Sequence, residues 1–270
     1  MRGLAERGAA LLGGLLRHAE RVSGGDLSQI LRVTLEDGRQ AIVKTGSHPK
    51  IEAAMLRAIA ASGAPAPSVL AVSDEVLALE LLPGGEGLGG AWASLGHALA
   101  TLHAASGARY GWPEDYAFGP VAIENGWSDD WPRFWAARRL LTHVAHLPAA
   151  LARRVEALAA ALPDRLPAQP RLALLHGDLW GGNIVAAGGR VSGFIDPACY
   201  YGDAEVDLAM LSLFDQPGAP FFDAYGPLEP GHEDRRPIYM LWPALVHLRL
   251  FGGAYRPMAS ACCRPAGSKS

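Results

Sequence analysis

The sequence predicts an α+β chain in two lobes, an antiparallel sheet with one helix followed by a mainly helical part. Three observations carry that expectation. Short strand-like runs separated by turn residues gather in the first 82 residues. Glycines 84, 85, 87, 89 and 90 then form a stretch that reads as a flexible linker. Beyond it the apolar residues recur mostly at helical spacing, broken by two apolar runs near residues 172–195. The expected division is therefore 1–82 for the first lobe and 83–270 for the second. A chain of 270 residues is long enough for a large core and for two lobes around a cleft. With 50% hydrophobic and 19% charged residues it reads as a soluble globular protein, not a disordered one.

The N-terminal segment carries Leu11, Leu12, Leu15 and Leu16, interrupted by Glu6, Arg7, Arg17, His18 and Glu20. That pattern is an amphipathic helix, with no signal-peptide cleavage pattern and no membrane span. The loop 23–28 holds Gly24, Gly25 and Ser28 and precedes an alternating run over 30–35. An Asp-Gly type turn, 36–39, leads into a second strand, Ala41-Ile42-Val43-Lys44. A glycine pair ahead of such a hairpin lets backbone N–H groups approach phosphates. After Pro49 a helix over 51–59 places Met55, Leu56 and Ile59 on one side, with Glu52 in its first turn, where a carboxylate suits the helix dipole. Pro65 and Pro67 precede strands over 69–72 and 76–82, and helices follow over 92–106, after Pro132, and over 149–162. After Met210 further helices close the chain, and the tail from Met258 onward is expected to fray.

The chemistry concentrates in residues 172–210. The apolar run 172–175 stops at His176-Gly177-Asp178, and the run 191–195 stops at Asp196-Pro197. Joined by the Gly-rich turn 187–190, the two runs read as a hairpin that delivers both carboxylates to one edge. Asn183 follows Asp178 by five positions, the spacing of a kinase catalytic loop, in which the Asp accepts the substrate hydroxyl proton and the Asn binds Mg²⁺. Asp196 stands where the kinase metal-binding Asp follows. Asp and Asn also cap turns, but capping does not explain three such oxygens at these spacings. Lys44 ends an AIVK strand, the place of the lysine that pairs the ATP α- and β-phosphates, and Glu52 is then the acid that orients it.

Net charge −3 argues against a nucleic-acid surface. Cys199, Cys262 and Cys263 cannot all pair, and a reducing cytoplasm is the simple reading. The run Trp127-Ser128-Asp129-Asp130-Trp131 brings indoles and carboxylates together, a composition suited to a polyhydroxylated cation; equally, Asp129 or Asp130 can cap the helix that follows.

The words HGDLWGGN and IDPACYYGDAEVDLAM, with the WSDDW run, resemble the fructosamine kinase (ketosamine-3-kinase) family, and the likeness runs from about residue 23 to 255. The resemblance implies a protein-kinase-like fold and transfer of the ATP γ-phosphoryl group to the C3 hydroxyl of a ketosamine, free or on a protein lysine. By that likeness Asp178 is the base, and Asn183 and Asp196 hold Mg²⁺. Gly24, Gly25, Ser28, Lys44 and Glu52 serve ATP, and Glu80 and Leu82 belong to a hinge-like segment whose backbone holds adenine. Trp127, Asp129, Asp130, Trp180 and Tyr201 form the acceptor side, and Asp207 braces the catalytic loop. A cytoplasmic monomer or weak dimer is expected, with neither nucleic acid nor membrane as partner. Another small-molecule kinase of the same fold, for an aminoglycoside, choline or a sugar, is the alternative. Pro197-Ala198 stands where protein kinases have Phe-Gly, and no long activation loop follows, so switching by loop phosphorylation is not expected.

Overall fold

Alternation along β3 (Gln40–Thr45) sorts its side chains to two faces: Ala41 and Val43 to one, Ile42 and Lys44 to the other. The computed structural model, which describes residues 2–22, 29–46, 48–85 and 87–263, shows what covers each face. Helix α1 (Arg2–Leu11) sets Leu4 and Ala5 against Ala41, Val43, Leu31, Val33, Val76 and Ala78. Helix α2 (Pro49–Ala61) sets Ala53 and Leu56 against Leu77 and Leu79, with Ile42 packed alongside. The antiparallel sheet runs in the order β1 (Leu16–Arg21), β2 (Ile30–Leu35), β3, β5 (Val76–Leu79), β4 (Val69–Val72). These are the sheet and the orienting helix expected of the first lobe.

The chain divides by its internal packing into two units. The first takes residues 1–102, 181–198 and 218–225, so it adds to the sheet most of α3 (Trp92–Ala104), the hairpin β9 (Ile184–Ala187)/β10 (Arg190–Phe194) and α7 (Ala219–Tyr225). This grouping differs from a division after Leu82. The reason is close packing of the glycine linker on the hairpin: a Cβ on Gly84 would fall 2.5 Å from a Val185 methyl, and one on Gly193 2.6 Å from a Leu82 methyl. Ser94 Oγ also accepts the Val191 N–H at 3.0 Å.

The second unit takes residues 103–180, 199–217 and 226–270. It holds β6 (Tyr116–Phe118) paired with β7 (Val121–Ile123), α4 (Trp131–Trp135), α5 (Ala149–Ala161), β8 (Leu172–Leu175) paired with β11 (Tyr200–Asp203), α6 (Glu205–Phe214), α8 (His232–Phe251) and α9 (Arg256–Cys262). Its core is aromatic: Trp131, Phe134, Trp135, Tyr200 and Tyr239 are fully buried.

Four expectations are corrected. The first helix ends at Leu11, because Gly13 turns the chain at φ 68°, and Leu16–Arg21 is an edge strand. The run 172–175 does not pair with 191–195: β10 pairs with β9, whose four residues follow Asn183 directly, while β8 pairs with β11. Two apolar runs either side of one Gly-Gly turn suggest a hairpin, but the turn at Gly188-Gly189 is so tight that its partner must lie just before it. The helix after Pro132 is irregular, passing from α4 into a π-helical turn, Ala136–Leu140, and a 3-10 stretch, Leu141–His146. Residues 258–262 of the tail belong to the helix α9 (Arg256–Cys262), with Arg154 donating to the carbonyls of Ser260 and Cys263.

Candidate active site

In the first unit, Lys44 and Glu52 meet because β3 and α2 turn them to the same buried face. Lys44 Nζ donates to Glu52 Oε1 at 2.9 Å and also to Asp196 Oδ1, so one ammonium joins two carboxylates. The side chains of Lys44 and Glu52 are 7% and 3% exposed, and that of Asp196 is 31% exposed. Burial by itself lowers an ammonium pKa; beside Lys44, Glu52 and Asp196 outweigh it and hold the lysine protonated, above its ordinary range. Burial pushes the Glu52 carboxyl up, opposed by Lys44. Removal of the lysine is thus expected to be felt by both acids.

Asp196 stands two residues beyond the end of β10 and is the one non-glycine among the described residues with a positive φ, 52°. Asp tolerates this left-handed region better than most residues, at a cost of about 1–3 kcal/mol that the surrounding contacts must offset. The Ile195 N–H donates to the Asn183 carbonyl at 3.0 Å, so the backbone ahead of Asp196 is pinned to Asn183, which is itself buried. One amide and one carboxylate are hard oxygen donors that fit Mg²⁺, an ion usually held by one or two carboxylates together with substrate phosphates. Among the described residues no group of three or more His, Cys, Asp or Glu could hold a metal ion.

Gly24, Gly25 and Ser28 lie outside the described residues. Glu80 is turned to Ser68: its carboxylate accepts from Ser68 N at 3.0 Å and Oγ at 2.8 Å, and its own N–H donates to the Ser68 carbonyl. Leu82 is half-buried and packs toward Gly193.

In the second unit, β8 runs into the loop His176-Gly177-Asp178. The Asp207 carboxylate, fully buried at the start of α6, accepts the N–H of His176 at 2.7 Å and of Gly177 at 2.9 Å, and its Oδ2 lies 3.1 Å from His103 Nε2. The Asp178 N–H donates to His176 Nδ1 at 3.3 Å. Asp207 is therefore the brace anticipated for the loop, and Asp178 is left half-buried at its tip. Sequence reading assigned no role to His103; its signal would have been a histidine in the last turn of the helix with a buried acid to satisfy.

The residues expected on the acceptor side divide by what they touch. Trp180 is 42% and Trp127 41% exposed, whereas Trp131 is buried and donates Nε1–H to Tyr239 Oη at 2.9 Å. Asp130 caps α4, accepting the Arg133 N–H at 2.7 Å. Asp129 pairs with the exposed Arg109 through two bonds of 2.7 and 2.9 Å. Tyr201 covers Gly107 and lies 5.9 Å from the Trp112 ring. Arg139, fully buried on the π-helical turn, fixes the segment that leads into this run: it donates to the Glu124 carbonyl at 2.6 Å and to Asn125 Oδ1 at 2.7 Å, beneath the rings of Tyr200, Phe134 and Trp242.

A conserved-family profile described as fructosamine kinase matches residues 12–265. The chain belongs to the fructosamine kinase family. A protein of Synechocystis sp. named as a ketoamine kinase is 41% identical over 198 residues, 68% of this chain and 64% of that protein. Another so named, from Lactiplantibacillus plantarum, is 32% identical over 90% of this chain and 91% of its own length. A crystal structure from Thermobifida fusca, described as a fructosamine-3-kinase, superposes with a TM-score of 0.89 at 31% identity, covering 98% of each chain. The fold of this family member is the protein-kinase-like α+β fold expected from its motifs. Among its described residues no helix is long and apolar enough to cross a membrane.

Proposed function

We propose that this chain is an ATP-dependent ketosamine kinase that phosphorylates the C3 hydroxyl of a fructosamine or ribulosamine, free or attached to a protein lysine. The observation that carries the reading is Lys44 held between Glu52 and Asp196, in a chain of the fructosamine kinase family that also keeps a braced His176-Gly177-Asp178 loop. Phosphoryl transfer asks little covalent chemistry of the protein and much positioning and charge neutralisation. Lys44 supplies a fixed cation for the phosphate oxygens of ATP, and Glu52 keeps it in place. Asn183 and Asp196 are the residues to hold Mg²⁺, which when bound would neutralise charge on the β- and γ-phosphates. Asp178 accepts the proton of the attacking hydroxyl as the phosphoryl group passes to that oxygen and ADP leaves. The exposed indoles of Trp127 and Trp180, with Asp129, Asp130 and Tyr201, make up the acceptor side.

The relatives' names favour this reading over an aminoglycoside, choline or sugar phosphotransferase. A cytoplasmic enzyme acting in deglycation is part of this proposal, in keeping with the likeness to bacterial proteins named as ketoamine kinases. Turnover of Mg-ATP against a panel of glycated amines, an aminoglycoside, choline and simple sugars tests it. Activity on ketosamines alone is expected; activity only on one of the other acceptors overturns the assignment.

A further inference from the structure

Trp180 is one end of a continuous aromatic strip within the second unit. Its indole meets Phe214 edge-on at 6.4 Å, and Phe214, the last residue of α6, lies 4.7 Å from the His247 ring on α8. His247 in turn lies 5.5 Å from Phe251 and 5.1 Å from Tyr255, which are 5.8 Å apart. Both ends are open: Trp180 is 42% and Phe251 44% exposed, with Phe214, His247 and Tyr255 half-buried between them. These rings differ from Trp131, Phe134, Trp135 and Tyr239 in the same unit, all of which are core. A connected run of partly exposed rings, open at both ends, is an apolar surface suited to binding.

We propose that this strip is the subsite for the amine half of the ketosamine, the secondary ammonium and the alkyl chain beyond it; the inference rests on the ketosamine reading above. The strip starts two residues after Asp178, on the loop where the sugar hydroxyl must arrive, and continues ring by ring through Phe214 and His247 to Phe251 and Tyr255. The nitrogen of a ketosamine sits on C1, two carbons from the reacting C3 oxygen, so its substituent must leave past a ring beside the catalytic loop. That nitrogen is a protonated secondary amine, and aromatic faces attract such cations. The methylenes of a modified lysine then match apolar rings, as long aliphatic stems do elsewhere on protein surfaces. His247 does not oppose the cation. Burial lowers its pKa and outweighs the opposite pull of the Pro243 carbonyl, which accepts from Nδ1 at 2.8 Å, so the net shift favours the neutral ring.

The test compares two acceptors with the same sugar: the fructose adduct of methylamine and the fructose adduct of a lysine within a short peptide. Only the second is long enough to reach Phe251 and Tyr255. Phe251→Ala and Tyr255→Ala are expected to raise the KM of the peptide adduct by about three- to tenfold, the worth of one aromatic contact. The KM values of the methylamine adduct and of ATP stay unchanged, and Phe251→Tyr keeps the wild-type values. Equal losses on both acceptors, or no loss on either, overturn the subsite. So does a change of sedimentation coefficient in Phe251→Ala with kinetics intact, because the strip then contacts a second copy of the chain. Wild-type protein inactive on both adducts would instead remove the ketosamine reading, and the subsite with it.

Discussion

Replacing Lys44 by Met removes the one cation shared by two acids and leaves a nearly isosteric apolar stem in a buried place. Glu52, with its side chain 3% exposed, then keeps a charge that has lost its partner, with the Asp196 carboxylate on the far side of the gap. Breaking a buried ion pair from one side costs about 3–5 kcal/mol, because the remaining charge stays desolvated. Asp196, at 31% side-chain exposure, adds less, since water screens it. Glu52 can limit the loss by taking a proton, and burial already pushes its carboxyl upward. A carboxyl whose pKa is raised in the folded state favours that state most at low pH, so the deficit of Lys44→Met should be larger at pH 8 than at pH 5.5. Adding Glu52→Gln removes the stranded charge while keeping the shape. Lys44→Met/Glu52→Gln should therefore be more stable than Lys44→Met although it carries one more substitution. Urea unfolding followed by circular dichroism, at both pH values, measures all three variants. A double variant no more stable than Lys44→Met would mean that Glu52 carries no buried charge in the folded protein, and the argument for Lys44 and Glu52 as a preset pair would fail.

Three further outcomes are expected. Asp178→Asn should leave folding and ATP binding near wild type while kcat falls by about 10²–10⁴, the usual contribution of a positioned general base; turnover near normal would show that the proton goes elsewhere. Trp180→Ala should weaken acceptor binding by about 1–3 kcal/mol, read as acceptor KM, and leave the KM for ATP alone; an effect on ATP only would separate this ring from the acceptor. Asp203 concerns stability: burial, with the Glu205 carboxylate next to it, pushes its pKa from 3.8 up to about 6. The folded state then binds this proton more tightly than the unfolded one, so the contribution is full below the ordinary carboxylate range and is lost as pH rises through about 6, some 3 kcal/mol in all. Asp203→Asn should flatten the stability profile between pH 4 and 7, and an unaltered slope measured by denaturant titration would place the proton on another group.

Several features of the site were readable from local pattern. The AIVK strand end, the acid in the first turn of the next helix, and the Asp-x₄-Asn spacing are short-range features. Strand periodicity and helix caps act over a few residues, so they survive in the sequence as spacing. The same holds for Asp130, whose alternative reading as a helix cap is what its bond to Arg133 N–H displays. The pairing of the catalytic strands was different. Runs 172–175 and 191–195 look alike as apolar segments, and their composition does not say that the second pairs with the four residues just before its own turn while the first pairs with Tyr200–Asp203. The short β9 was hidden because its four residues adjoin the motif that drew attention. The edge strand β1 was hidden because charged residues give a half-exposed edge strand and an amphipathic helix similar compositions.

By itself, the sequence determined the family and the α+β fold, and it pointed to the carboxylates and the lysine proposed to carry the reaction, because each is written in side-chain identity at fixed short spacing. The tertiary structure alone decided which acid Lys44 meets besides Glu52, since Asp196 lies 152 positions away along the chain. It also decided that Asp207 spends its carboxylate on two backbone N–H groups, that Arg139 is fully buried under three rings, and that Trp180 opens a row of aromatics drawn from α6 and α8. The physical reason is common to all of them. Burial and partner choice depend on which distant surfaces a packed core brings together, and that is a property of the whole arrangement, not of any window of residues.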